Sequence, residues 1–426
     1  MPIQSGGRRV APLRAALFAG AFALALSSTA LAADAISLRD ALMRAAAFDP
    51  SVPATQARLD AAEAGLRQAG VRPNPTVGVD LENFAGTGGM SLLDRSETTL
   101  YYQQTLELGG KRQARTDVAR AEITLAGARG DIRSLDLLAQ VQTAWIEALA
   151  TQAQVSVAEQ RLEIAQRLER DVSRRVAAAR DPLFTGERAR TAVAQARIAL
   201  DQAREAARNA RAALAAYWGG DPDFTLDTTP FFTLDLTAPP PLGETPDLLM
   251  LVAERDVATA RIQLERSRSA QDPTVRGGVR YFGDGNEAAF IVGGSIQLGR
   301  YDTNKGAIEQ AQALRVAAER DLDVARIERE REIARLTARR SAAASEIARI
   351  DAEVLPSADR AVRLVRDGFN QGGGAFTYME VVEAERAIID ARARRIDLLR
   401  SIHLDGVRLD RILARHLPLI ARLEAR

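Results

Sequence analysis

From Gln113 to Arg180 the chain runs for 68 residues with almost no helix breaker, which at 1.5 Å per residue predicts a rod on the order of 100 Å long. A globular core has no use for such a helix. Asn304 to Asp367 predicts a second rod of 64 residues, with Pro356 expected to kink or break it locally. Shorter helical stretches add up to the same length: Ser37 to Gly70 with Gly186 to Tyr217, and Pro246 to Gln271 with Ala375 to Pro418, each pair spanning on the order of 100 Å. Long helices that run away from a sheet, turn, and return in two collinear pieces account for all of these segments. Along the first rod Val155, Ala158, Leu162, Ala165, Val172, Val176 and Ala179 form a thin stripe, interrupted by Glu169. Its small residues allow close pairing of helices in coiled coils.

The same order of elements is written twice, about 190 residues apart. Pro75-Thr76-Val77 recurs as Pro273-Thr274-Val275, Leu108-Gly109-Gly110 before Lys111 as Leu298-Gly299-Arg300 before Lys305, and Leu183-Phe184-Thr185 as Ala375-Phe376-Thr377. Each half reads helix, strand, loop, strand, very long helix, turn, helix. The first unit occupies 33–218 and the second 246–418, with a C-terminal tail at 419–426. Between the units, 219–245 is rich in Gly, Pro and Thr and reads as a linker or a small irregular subdomain.

Strands are expected at about 75–84, 98–108, 273–283 and 288–298, where apolar and polar residues alternate, as Val77, Val79 and Leu81 do with Gly78, Asp80 and Glu82. Lengths near ten residues suit tilted transmembrane strands, although a soluble sheet with one wetted face alternates in the same way. Gly86 to Ser96 and Gly283 to Glu287 join the strands of each half and are expected at the cell surface. Arg8, Arg9 and Arg14, the apolar run Ala15 to Leu26, and Ala30-Leu31-Ala32 predict a secretory signal peptide over 1–32, removed after Ala32. If the mature chain sits in a membrane, it does so with strands.

Composition excludes several function classes. The chain has no cysteine, hence no disulfides, no thiolate metal site and no lipid-modified N-terminal cysteine. Its 57 basic and 56 acidic residues leave a net charge of +1, so no global field recruits nucleic acid. His403 and His416, too few for a metal centre, are expected as ordinary surface or packing residues on the last helix. Gly109-Gly110 and Gly372-Gly373-Gly374 lack the context of a phosphate loop and read as turns. No nucleophile stands with a base, so neither an enzyme nor a cofactor is expected.

Gln104-Thr105-Leu106-Glu107-Leu108-Gly109-Gly110-Lys111-Arg112 resembles the start of the first long helix in TolC-type outer membrane factors, most of all the branch serving cobalt-zinc-cadmium efflux. The resemblance extends over nearly the whole mature chain. It implies a mainly α fold with a transmembrane β-barrel portion. In a homotrimer, twelve strands, four from each protomer, would close one barrel in outer-membrane lipid, continuous with a periplasmic α-helical coiled-coil tunnel. Four strands from one chain would leave open edges in lipid, at several kcal/mol for each unpaired group, so closure by several chains also follows from physics. The implied partners are a periplasmic adaptor (membrane fusion) protein and an inner-membrane resistance-nodulation-division pump. Many members of the metal branch carry a lipidated cysteine that this chain lacks, so the barrel must anchor it unaided. Heavy-metal cations are the expected solute; drug efflux and type I protein secretion use similar tunnels, and a periplasmic coiled-coil structural protein without a pore is the reading from another class.

Three groups of residues are candidate sites. The two helix-reversing turns, with Arg180, Pro182 and Gly186 in one and Gly372, Gly373 and Gly374 in the other, should form the periplasmic tip and dock the adaptor. Just after the second turn, Glu380 and Glu383 share one helix face. The resemblance implies that such an acidic pair, here Glu in place of Asp, narrows the periplasmic entrance as stacked rings that repel one another and attract cations. Asp181 and Asp367 are further candidates for the same mouth, and an exposed acidic coiled-coil face is the plain alternative. Lys111, Arg112 and Arg115 follow the second strand and are expected to anchor the chain at the membrane interface, although a solvated helix start explains them as well.

Overall fold

A computed structural model describes residues 35–87, 95–371 and 376–419. The expected signal peptide, most of the first strand-joining loop, Gly372, Gly373 and Gly374, and the tail beyond Leu419 lie outside the described residues. In chain order the elements are α1 (Leu38–Phe48), α2 (Ser51–Ala69), β1 (Thr76–Glu82), β2 (Glu97–Thr105), α3 (Lys111–Ala177), α4 (Leu183–Ala215), a short α5 (Thr229–Phe232), α6 (Pro246–Arg268), β3 (Thr274–Phe282), β4 (Glu287–Ser295), α7 (Lys305–Arg349), α8 (Leu355–Gln371) and α9 (Tyr378–Ile412). The duplicated order is present, and α3 alone has 67 residues.

Prolines account for the main departures from the expected helices. The stretch from Ser37 to Gly70 is two helices, because Pro50 disfavours helical backbone at Asp49, which is extended (ψ 126°). The second rod is not broken at Pro356; a π-helical turn over Ile350–Val354 stands just before it. Proline cannot donate to the carbonyl four residues back, and a wider turn accommodates that loss within a continuous helical path. At the first reversal α4 starts at Leu183, not Gly186, behind an extended Pro182, and Ala179, the last residue of the expected stripe, has left the helix with φ 55°. The last helix ends at Ile412, well short of Pro418, so His416 lies in the turn that follows.

The strands form one antiparallel sheet in the order β1-β2-β3-β4. The hairpins of the two halves meet at β2 and β3, with Leu100 opposite Val279. β2 ends at Thr105, short of the expected Leu108, because the next residue of the partner strand, Pro273, has no N–H to return; only Leu106 N–H to Pro273 O, at 2.9 Å, remains. At the start of α3, Gly109 and Gly110 are left-handed (φ 69° and 74°), and a Cβ on Gly109 would stand 2.5 Å from that of Ala270.

The largest apolar cluster lies midway along α3, where Leu135 to Ala153 pack against α1, the end of α4, Ile347, Ile350 and α9. Phe231, from the irregular segment between the repeats, is fully buried in it, so that segment is part of the core. Farther along, Val155 packs with Leu200 and Ala207, and Val172 with Leu168 and Ala189. Glu169 does not interrupt this seam, because Leu168 beside it takes the buried position. Arginines link the helices across their faces: Arg400 to Glu147 and Arg394 to Glu346 on the surface, and the more buried Arg411 to both Asp136 on α3 and Asp247 on α6.

Candidate functional site at the helical tip and on the sheet

At the end remote from the sheet, the α3–α4 turn meets the facing ends of α8 and α9. Leu168, Val172, Ala189, Phe369, Tyr378 and Val381 form a small core there. Arg175 ties the first turn to the end of α8. Its Nε and Nη2 donate to Asp181 at 2.8 and 2.9 Å, its guanidinium lies 4.2 Å from the Phe369 ring centre, and Nη1 donates to the Phe369 carbonyl. Asp181 is thus held against Arg175, with 13% of its side chain exposed. Arg180 is exposed, Pro182 precedes the first residue of α4, and Gly186 lies in that helix's first turn.

Thr377 and Glu380 close the start of α9 as a capping box. Glu380 accepts from the Thr377 N–H at 2.5 Å and from its hydroxyl at 3.0 Å, while the Thr377 side chain accepts from the Glu380 N–H. The backbone bond first, and the hydroxyl second, hold the Glu380 carboxyl below the usual range. Glu383 is exposed three residues later, on the same face. Asp367 is exposed on α8. The Thr-x-x-Glu signature was readable in the sequence, and it gives Glu380 a structural task beside any electrostatic one.

Glu385 is the tip residue that the sequence reading passed over. Tyr378, Val381, Glu385 and Ile388 follow the 3-4-3 spacing of the buried stripe, so a carboxylate occupies a core position. Only 7% of its side chain is exposed, and Arg366 of α8 lies 3.9 Å away; Arg366 also faces Asp171 of α3 at 3.7 Å. Burial pushes the Glu385 carboxyl up to about 7, partly offset by Arg366 and Arg167 and reinforced by Asp171. A cavity of about 420 Å³ between α3, α4 and α9 borders it.

At the opposite end, the sheet sorts its side chains by face. Val77, Val79, Leu81, Leu100, Tyr102, Val275, Val279, Tyr281, Phe290 and Val292 stand on one face, every one exposed, Phe290 at 90%. Asp80, Glu82, Glu97, Thr99, Arg276 and Arg280 occupy the other. β1 and β4 are edges, with no strand partner on their outer sides among the described residues. Where the strands meet the helices, Lys111 pairs with Asp272 at 2.6 Å, and Arg115 pairs with Glu107 and donates to the Ala69 and Val71 carbonyls. Both cations latch the start of α3 to neighbouring elements, whereas Arg112 is exposed. Burial would raise the Asp272 carboxyl, but Lys111 and the Leu108 N–H outweigh it and hold the group below its ordinary value. No helix among the described residues is long and apolar enough to cross a membrane.

Comparison with known proteins agrees with this geometry. Over 395 residues the chain is 31% identical to the cobalt-zinc-cadmium resistance protein CzcC of Cupriavidus metallidurans, covering 90% of this chain and 91% of the relative. It is 30% identical to the nickel and cobalt resistance protein CnrC of the same organism over 70% of this chain and 72% of that one. The fold superposes on a membrane protein from Pseudomonas aeruginosa with a TM-score of 0.73 at 18% identity, covering 90% of this chain and 91% of that structure. Residues 41–220 and 241–415 match the outer membrane efflux protein family. The exposed apolar sheet face, the paired long helices and these matches, which together take in both repeats, lead to one conclusion: the chain belongs to the outer membrane efflux protein family, as a TolC-type outer-membrane channel.

Proposed function

We propose that this channel is the outer-membrane member of a tripartite system that exports divalent heavy-metal cations. It would work as a homotrimer that receives its solute from an inner-membrane resistance-nodulation-division pump through a periplasmic adaptor. The observation that carries the channel reading is the sheet. A face of exposed valines, leucines, tyrosines and a phenylalanine, backed by a charged face, suits lipid outside and water inside. Free edges at β1 and β4 suit closure by further copies, because an open edge in lipid leaves backbone groups unpaired. The metal reading rests on the resistance proteins for cobalt, zinc, cadmium and nickel to which the chain is similar.

The tip then supplies the entrance. Glu380 and Glu383, exposed on one face of α9, would form two stacked acidic rings about a three-fold axis and favour cations. The first reversal, with Arg180 and Pro182 and with Gly186 in the first turn of α4, would be a surface offered to the adaptor, together with the segment of Gly372, Gly373 and Gly374. Lys111 and Arg115 reach the base of the sheet while paired, and exposed Arg112 is the free cation of the three for the membrane interface. Deletion of the protein should lower tolerance to divalent cobalt, zinc, cadmium or nickel more than to dyes and detergents. The reverse ranking would remove the metal assignment and leave the channel in place.

A further inference from the structure

We propose that Arg280 sets the ion selectivity at the outer end of the barrel, by pairing with two carboxylates and cancelling one of the two negative charges that would otherwise face the pore. The inference rests on the channel reading above, in which the charged face of the sheet lines the lumen.

Arg280 projects from β3 directly opposite Thr99 of β2. Its Nε donates to Thr99 Oγ1 at 2.9 Å, Nη1 to Glu97 Oε2 at 2.7 Å, and Nη2 to Glu82 Oε2 at 2.8 Å. One guanidinium therefore joins β1, β2 and β3, and each of its nitrogens has an oxygen partner. The planar, permanently charged fork of arginine is suited to this, since a lysine could not present three fixed donors in one plane. Thr99 is 1% exposed beneath it, while 28% of the Arg280 side chain and 52% of the Glu82 side chain remain open. The cluster is thus anchored at its base and wet at its surface.

Its position decides what it can do. Glu82 and Glu97 face each other at the last register pair of β1 and β2, at the end of the sheet farthest from the helices. Closer to the helices, Arg276 lies 4.0 Å from Asp80 with its guanidinium 5.6 Å from the Tyr101 ring centre, a looser arrangement of one cation with one acid. The charged face of the four strands carries Asp80, Glu82, Glu97 and Glu287 against Arg276 and Arg280. That leaves two net negative charges per protomer, six in a trimer, and loss of Arg280 raises these to three and nine. Fixed charges within about 8 Å of a permeating ion act on it at physiological salt, so a change of this size around the barrel mouth is read by conduction.

Reversal potentials of reconstituted trimers under a potassium chloride gradient test the proposal. Arg280→Gln should move the reversal potential toward the potassium equilibrium value and deepen block by multivalent cations. Arg280→Gln with Glu97→Gln restores the net charge and should return the reversal potential to that of the parent. Glu82→Gln with Glu97→Gln, in which Arg280 is present without its acids, should move it toward the chloride value, and this variant serves if Arg280→Gln does not assemble. Pores of unchanged reversal potential in the variant that assembles would overturn the inference while leaving the channel intact. A shift in Arg280→Gln that persists when Glu97 is also neutralised would overturn it too, because the effect would then follow sheet distortion and not charge. Absence of any pore in the parent trimer would remove the channel reading, and the inference with it.

Discussion

Glu385 carries the least expected chemistry in the molecule. Its carboxyl is raised from 4.5 in the unfolded chain to about 7 by burial between α3, α8 and α9. The folded state therefore binds the proton more tightly than the unfolded one. The associated stability is fully present below about pH 4.5 and is lost as pH rises through about 7. Glu385→Gln should accordingly gain over the parent as pH rises, by on the order of 3 kcal/mol above neutrality, and by little in acid. Denaturant midpoints measured near pH 4 and pH 8 check this; the same small difference at both would refute it. At Glu380 the capping box dictates the choice of substitution. Alanine would remove a cap as well as a charge, whereas Glu380→Gln with Glu383→Gln keeps an acceptor for Thr377. That pair should reduce cation preference and multivalent block in bilayer recordings with the trimer intact, and unchanged selectivity would sink the acidic-ring proposal.

Among elements, α9 has the most to coordinate, since it packs on α3, α7 and α8. Arg411, with 17% of its side chain exposed, holds Asp247 of α6 at 2.6 Å and Asp136 of α3 at 2.6 Å. Removing it would leave Asp247, 15% exposed, with only Arg329 at 3.3 Å. Arg411→Ala should therefore destabilise the chain by about 2 kcal/mol, below the full cost of an orphaned buried charge because Arg329 remains. Arg400→Ala, which breaks the surface pair with Glu147, should cost under ~1 kcal/mol. Unfolding midpoints compare the two, and equal losses would mean that burial does not distinguish them. Thr377→Ala, at the opposite end of α9, should cost about 1 kcal/mol through the lost cap.

On the scale of the whole molecule, the sheet hairpins and the helical tip lie at opposite ends of helices on the order of 100 Å long. If the barrel crosses the outer membrane, the hairpin between β3 and β4 faces the medium. The absence of cysteine makes labelling clean. Thr87→Cys and Asp284→Cys should react with an impermeant thiol reagent on whole cells; Gly285 is a poorer site because its φ of 91° suits glycine. Protection of both cysteines until the outer membrane is broken would invert the topology.

Much of this architecture was legible because it depends on period and length, which are local properties. Unbroken helical stretches, strands of alternating polarity and a repeated order of elements required no knowledge of what packs on what. Proline effects were only half legible. Pro356 announced a disturbance but not its form, since a break and a π-helical turn both relieve a missing N–H; in the folded chain the π-helical turn begins at Ile350, which is buried in the core. The candidate acidic pair was visible from spacing on one helix. Glu385, by contrast, became exceptional only when α8 brought Arg366 beside it and α3 brought Asp171, and Arg280 only when β1 and β2 delivered Glu82, Glu97 and Thr99 to its three nitrogens. By itself the sequence determined the order, the approximate extent and the faces of the elements, because these follow from each residue's neighbours along the chain. Which charges are paired and which are buried was decided by the tertiary structure, because a partner 183 residues away in the chain, as Glu97 is from Arg280, has no signature in local spacing.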